Sequence, residues 1–362
     1  MKYVSSRSKK ALFLVILLAT ITLFPVIKIG LKNEISSLTL RAHFGCLIHP
    51  GTDSVTCLDR YFAEQTRMRG ATDAMSELRA DATRFPEINS GCHQLAHVIG
   101  RTAAANGASL GELFSKGDPF CWSGYYHGAV EGTLRGRTLA DLTPAVLDAT
   151  CASIPNTTDY FDFYNCRHGL GHALMFVSNN DLPGSLARCG ELATPANAHI
   201  CANAVFMENV ISTTRDHKTK YLSSDPYYPC DIVDGQWKKD CYLVQTSHMF
   251  ALVGGDTGRV FALCAALPEA EFRPDCRESI GRDISQNTNY DAIETATLCH
   301  KADDPAAERS CITGAVRNFM AYHRGTKEAE ALCGLFPANS QVMCKAEISL
   351  QSAYYTGETE RP

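Results

Sequence analysis

The chain has no C-x-x-C pair, which removes zinc ribbons, ferredoxin-type clusters and c-type haem attachment despite its 16 cysteines. It also lacks H-E-x-x-H, a phosphate-cradling G-x-x-x-x-G-K-[ST] loop, and any G-x-G-x-x-G between a strand and a helix. G-x-S-x-G occurs once, from Gly107 to Gly111, but the preceding HVIGRTAAAN reads as the end of a helix. A nucleophile elbow needs a buried strand there, so Ser109 is assigned to a loop. Alternating, strand-like segments are scarce, which argues against the α/β-hydrolase, Rossmann and nucleotide-binding classes. No basic run follows the N-terminus and the net charge is −5, so neither a nucleic acid nor a nucleotide is an expected partner.

The N-terminus carries the one membrane signal. Lys2, Arg7, Lys9 and Lys10 precede an apolar run from Ala11 to Ile27. A basic head before an apolar run is the pattern of a secretory signal or a signal-anchor. No small-x-small cleavage site and no lipoprotein cysteine follow it, so a retained anchor is expected. The reading is a short cytoplasmic segment (1–10), a transmembrane signal-anchor (11–29) and an extracytoplasmic helical-repeat domain (30–362). Positive charge stays inside, so the bulk of the chain would be periplasmic or extracellular. Cleaved or retained, the signal leads to an oxidising compartment where disulfides persist.

The cysteines are placed by rule. They pair as Cys46/Cys57, Cys151/Cys166, Cys189/Cys201, Cys230/Cys241, Cys264/Cys276, Cys299/Cys311 and Cys333/Cys344. From Cys166 onward the second member recurs every 33 to 40 residues, a spacing typical of stacked two-helix repeats. The first cysteine ends a short amphipathic helix, as in DTGRVFALCAAL. A turn follows, and the second cysteine is expected in the first turn of a longer helix, as in CITGAVRNFMAYH. A bridge across such a hairpin meets the short Cα–Cα requirement, and closing a dozen-residue loop contributes about 3 kcal/mol in the chain-entropy model. Cys92 and Cys121 fall outside this rule. Either they bridge neighbouring repeats or they stay reduced beside nearby histidines, and the even count favours the bridge. The fold expected is all-α: a right-handed α/α-solenoid of about eight disulfide-stapled hairpins behind one N-terminal transmembrane helix. In construction it resembles Sel1-like and tetratricopeptide-type solenoids, although the Sel1 signature itself is absent, and the resemblance implies a curved binding surface.

Aligned on their cysteines, the second helices carry a polar row. His97 follows Cys92 by five residues, His127 follows Cys121 by six and His172 follows Cys166 by six. In later repeats the sixth and seventh places hold Met207 and Glu208, Ser247 and His248, Arg282 and Asp283, then Arg317 and Asn318. Three successive helices also show an i,i+4 clip: His93/His97, His127/Glu131 and His168/His172. Residues four apart share a helix face, and packed helices lie about 8–10 Å apart, so side chains from neighbouring helices can share one ion. Imidazole with carboxylate suits copper, iron or zinc rather than calcium or magnesium. Gly124, Gly128, Gly169 and Gly171 surround the clips, which means either close helix approach or room for a ligand.

The function expected is therefore a membrane-anchored extracytoplasmic metalloprotein with a transition-metal site at His93, His97, His127, Glu131, His168 and His172. A metal-dependent enzyme acting on a peptide or protein is the extension, with Glu131 as ligand or general base; oxidoreductase and hydrolase classes both stay open. The alternative is a non-enzymatic solenoid adaptor whose polar stripe docks a peptide or protein partner. Residues 215–240 read as an insertion between repeats, a lid or an interaction loop. Asn156 heads a glycosylation sequon, and His248 is a weaker candidate for the site.

Overall fold

The computed structural model describes residue 46 and residues 53–154, 160–211 and 219–356. The expected transmembrane segment and the Asn156 sequon lie outside these. Among the described residues no helix is long and apolar enough to cross a membrane. The chain divides into two units, Met1–Tyr61 and Phe62–Pro362. In the first, Cys46 is bonded to Cys57.

Every regular element among the described residues is helical. In chain order they are α1 (Asp53–Arg69), α2 (Ala71–Arg84), α3 (Pro86–Ala105), α4 (Leu110–Phe114), α5 (Gly124–Leu134), α6 (Pro144–Thr150), α7 (Tyr160–Val177) and α8 (Leu182–Gly190). There follow α9 (Pro195–Ile211), α10 (Gly235–Leu252), α11 (Thr257–Ala266), α12 (Arg273–Asn287), α13 (Ala292–Cys299), α14 (Pro305–His323), α15 (Lys327–Cys333) and α16 (Ala338–Thr356). A shorter helix usually precedes a longer one. The starts are written locally. Asp256, Asp291 and Asp304 accept hydrogen bonds from the amides of the next turn, while Pro86, Pro144 and Pro305 stand where no amide hydrogen is needed. Ser109 is one of these caps: its hydroxyl and the Glu112 carboxylate form a capping box for α4.

All sixteen cysteines are in eight disulfides, with Cα–Cα distances of 5.5–5.9 Å. The hairpin pairs are those the spacing predicts, and Cys92 bonds Cys121. Two details differ from expectation. The second cysteines of α7, α9, α10, α14 and α16 lie in the second helical turn, because these helices start a turn earlier at residues such as Pro195 and Pro305. The expected insertion at 215–240 is also shorter, since Gly235 already opens α10 behind the Asp234 cap. Its described part is held down by Gln245, which donates to the Pro226 and Tyr228 carbonyls, and by Tyr227, which donates to the Leu263 carbonyl.

The longer helices pack in sequence order: α3 on α5, α5 on α7, α7 on α9, and so on to α16. Glycines let backbones touch. A Cβ on Gly128 would strike the His97 backbone, one on Gly171 the Cys201 carbonyl, one on Gly281 the Cys311 carbonyl and one on Gly314 the Glu278 carbonyl. Close helix approach is thus what the glycines around the histidines provide. A carboxyl-terminal core of Val260, Phe261, Ile280, Val316, Phe319 and Ile348 joins α11 to α16. The row also returns on itself within the second unit. Arg79 on α2 bonds Asp118 and the Tyr322 hydroxyl of α14 and lies over the Phe120 ring; Arg324 covers Phe161; and α16 contacts α7.

Candidate metal centre

Four neighbouring helices build the site. α3 presents His93 and His97 one turn apart, α5 His127 and Glu131, α7 His168 and His172, and α9 Glu208. The six residues expected at the site are all 5% exposed or less, so the early part of the polar row is interior and not a concave surface. Ligand atoms of His93, His97, His127 and His172 all lie within 4.8 Å of one another, and so do those of His97, Glu131, His172 and Glu208. This is a buried His/Glu cluster that could hold a metal ion. The His127 and His172 rings stack at 4.6 Å, and His97 lies edge-on to both.

Hydrogen bonds assign the tautomers. His93 Nδ1–H donates to the Cys121 carbonyl at 2.7 Å, an oxygen that can only accept. His97 Nδ1–H donates to Glu131 Oε1 at 2.6 Å, and His172 Nδ1–H to Glu208 Oε2 at 2.7 Å. His127 is reversed: its Nε2–H donates to Asn165 Oδ1 at 3.3 Å, while Asn165 Nδ2 donates to the Phe161 carbonyl and so fixes the amide. The remaining nitrogens are Nε2 of His93, His97 and His172 and Nδ1 of His127. Of these, His127 Nδ1 and His172 Nε2 are buried without a partner. His93 Nε2 and His97 Nε2 face each other at 2.9 Å.

Electrostatics keep the His93, His127 and His172 rings neutral. Burial, and then the neighbouring imidazoles, push His93, His127 and His172 well below the ordinary histidine value. Burial also lowers His168, to about 3, with the Arg282 charge as the next cause. Burial alone would raise Glu131, but His97 and Arg101 outweigh it and hold the carboxyl at about 2. Both Glu131 oxygens are engaged, Oε1 by His97 and Oε2 by Arg101. Glu131 is therefore ionised and tied on both sides.

The fifth imidazole, His168, packs on His127 and His172 and stacks on Tyr164, yet stands outside both converging sets. The Ile200 backbone holds it, and its Nδ1 is buried without a partner. His248 is half-buried and its Nε2 bonds the Ser223 carbonyl instead. Other contributors were hidden from sequence reasoning. Glu208 stood in the polar row, seven residues after Cys201, but not in the expected site. Asn165 and the Cys121 carbonyl carried no signal. Cys121, Trp122 and Ser123 are successive left-handed residues with φ of 56°, 55° and 59°. For side chains other than glycine that conformation costs about 1–2 kcal/mol per residue, and here it aims the Cys121 carbonyl at His93 and sets Trp122 beside it.

No family model, no curated protein and no solved structure matches the chain, so the site has to be read from its own geometry.

Proposed function

We propose that the chain is a metalloprotein that holds one transition-metal ion through His93, His97, His127 and His172. The observation that carries this is the clustering of four buried imidazoles, each with one nitrogen committed to an acceptor. Each imidazole spends one nitrogen on an acceptor and keeps one for a metal, and the four buried rings each offer a ligand nitrogen within 4.8 Å of the others. With both Nδ1 atoms protonated, no proton lies between His93 Nε2 and His97 Nε2, so two lone pairs oppose each other at 2.9 Å. A cation relieves that repulsion. Bonds of about 2.0–2.1 Å would place ligand nitrogens about 3.3 Å apart, so rotations of a few side chains suffice.

In this reading Glu131, Glu208, Asn165 and the Cys121 carbonyl are the outer partners that fix ring orientation, the arrangement known to raise the basicity of metal-bound histidine. Glu131 orients His97 and is neither the ligand nor the general base. With every cysteine oxidised and four imidazoles available, copper, iron and zinc fit the donor set. Catalysis would need a further open coordination position, and the unpartnered Nδ1 of His168 offers an acceptor beside one. The eight disulfides support an extracytoplasmic location, and the order of packing supports a stack of stapled hairpins.

A specific observation favours one second reading. The Glu131–His97–His93 chain could hold a proton between the two Nε2 atoms, making a structural polar network without metal. Elemental analysis of the purified chain beside its His127→Ala/His172→Ala variant separates the two. One equivalent of copper, iron or zinc in the parent, lost in a variant of unchanged helicity, supports the metal. No metal in the parent after reconstitution with all three ions sinks it and leaves the network.

A further inference from the structure

Outside the four helices of the site, α12 sends one side chain toward it. Arg282 is held along one edge of its guanidinium. Nε and Nη2 donate to Asp283 Oδ1, and Nη2 also reaches Ser247 Oγ at 2.7 Å and the Val244 carbonyl at 3.3 Å. Asp283 is itself fixed by Thr246 at 2.7 Å and Ser247 at 2.9 Å. Such a network fixes the direction of a long side chain that would otherwise sample many rotamers. Nη1 takes no part in it and has no hydrogen-bond partner among the described residues. The guanidinium carbon lies 5.6 Å from the Trp122 ring centre, and the Trp122 ring stands edge-on 5.6 Å from His93. Trp122 Nε1, which can only donate, is buried without a partner.

We infer that a small oxyanion, a carboxylate or a phosphate, binds between the metal ion and Arg282, with the Trp122 indole N–H as a second donor. The inference rests on the metal reading and names its ligand class. At this edge a bound metal cation would join the Arg282 guanidinium, which lies over the Trp122 ring, and the indole that carries the unpartnered N–H. All of them seek an acceptor, and two are positively charged. A neutral acceptor would satisfy the geometry but not the charge, and a cationic ligand would be repelled. Asp283 compensates part of the Arg282 charge, leaving Nη1 as the end of the fork able to meet a ligand. The Arg282 side chain is 16% exposed, so the edge it occupies opens to solvent while the histidines do not. The left-handed run at Cys121–Ser123 is what brings Trp122 to this edge.

The full chain loaded with cobalt(II) provides the test, because its visible bands report a change in coordination. Acetate and inorganic phosphate are titrated separately into the parent, Arg282→Gln and Trp122→Phe proteins, with cobalt stoichiometry and helicity recorded for each. The expected result is a saturable spectral change with one of the two anions, and which one responds distinguishes carboxylate from phosphate. Affinity should fall about tenfold or more in Arg282→Gln, as for loss of a charge-assisted hydrogen bond, and by a smaller factor in Trp122→Phe, at equal cobalt content. Trp122→Phe keeps an aromatic ring at this place and removes the N–H donor, so it decides the matter should Arg282→Gln lose helicity. Bound cobalt whose spectrum neither anion moves overturns the inference, and so do equal affinities in the folded proteins. A parent that takes up no cobalt overturns the metal reading and, with it, this one, which separates the two failures.

Discussion

At the scale of single residues, the site is a matter of which nitrogen holds the proton. Glu131 and Glu208 each accept from the Nδ1 of a converging histidine, so Glu131→Gln and Glu208→Gln should leave the fold intact and disturb ring orientation. Loss of such an outer partner costs about 10- to 100-fold in metal affinity, measurable by competition with a chromophoric chelator. Unchanged affinity in both variants would mean that the carboxylates do not act through the histidines. A second residue-scale prediction concerns pH. Asp81, buried on α2, has its carboxyl pushed up to about 6 from 3.8, by burial first and then by Glu77, against Arg84. A folded-state value above the unfolded one favours the protonated form in the native state. That contribution is complete below about pH 3.8 and is lost as pH rises through 6. Asp81→Asn removes the titration, so its melting temperature should exceed the parent's at pH 7.5 and approach it near pH 4. A constant gap between the two pH values would contradict the shift.

At the scale of elements, glycines decide how near two helices come. Gly128 faces the His97 backbone and Gly171 the Cys201 carbonyl, both too close for a Cβ and both against backbone that cannot swing aside. Gly128→Ala and Gly171→Ala should therefore push α5 from α3 and α7 from α9, lowering both stability and metal content. Gly111 is the control: it lies within α4 with nothing near a Cβ, and Gly111→Ala should be neutral or stabilising by up to about 1 kcal/mol. Thermal melts and metal analysis of the three variants check this; a mild Gly128→Ala would show that the helices have slack. Elements are also where the sequence is most legible. Caps, first-turn prolines and the cysteine spacing are local signals, and they locate the hairpins to within a turn. The i,i+4 clips are local too, which is why the four converging histidines could be named in advance. Glu208, Asn165 and the Cys121 carbonyl could not, because their roles depend on which helices become neighbours and on a left-handed backbone at 121–123. The return of α14 to α2 was equally hidden: Arg79 and Tyr322 are 243 positions apart, and nothing in either segment marks the other.

At the scale of the molecule, the disulfides divide into those that close a hairpin and one that serves the site. Cys333–Cys344 joins a short helix to the long helix after it, across 11 positions, far along the chain from the histidines. Cys92–Cys121 spans 29 positions and sits directly beside His93 at one end and Trp122 at the other. In the chain-entropy model the two bridges contribute about 3 and about 4 kcal/mol, so loop length barely separates them. Their consequences for the site should differ. The Cys121 carbonyl accepts the His93 proton, and the left-handed turn that aims it follows immediately on the bridged residue. Replacing Cys92 and Cys121 with alanine should lower the melting temperature and weaken metal binding together. Replacing Cys333 and Cys344 should lower the melting temperature comparably and leave metal affinity as in the parent. Melting curves and chelator competition on the two double variants give both quantities. Equal loss of metal in both would mean that the framework supports the site only by general stability. Loss confined to the first would show that one bridge was placed for the histidines and the other for the hairpin.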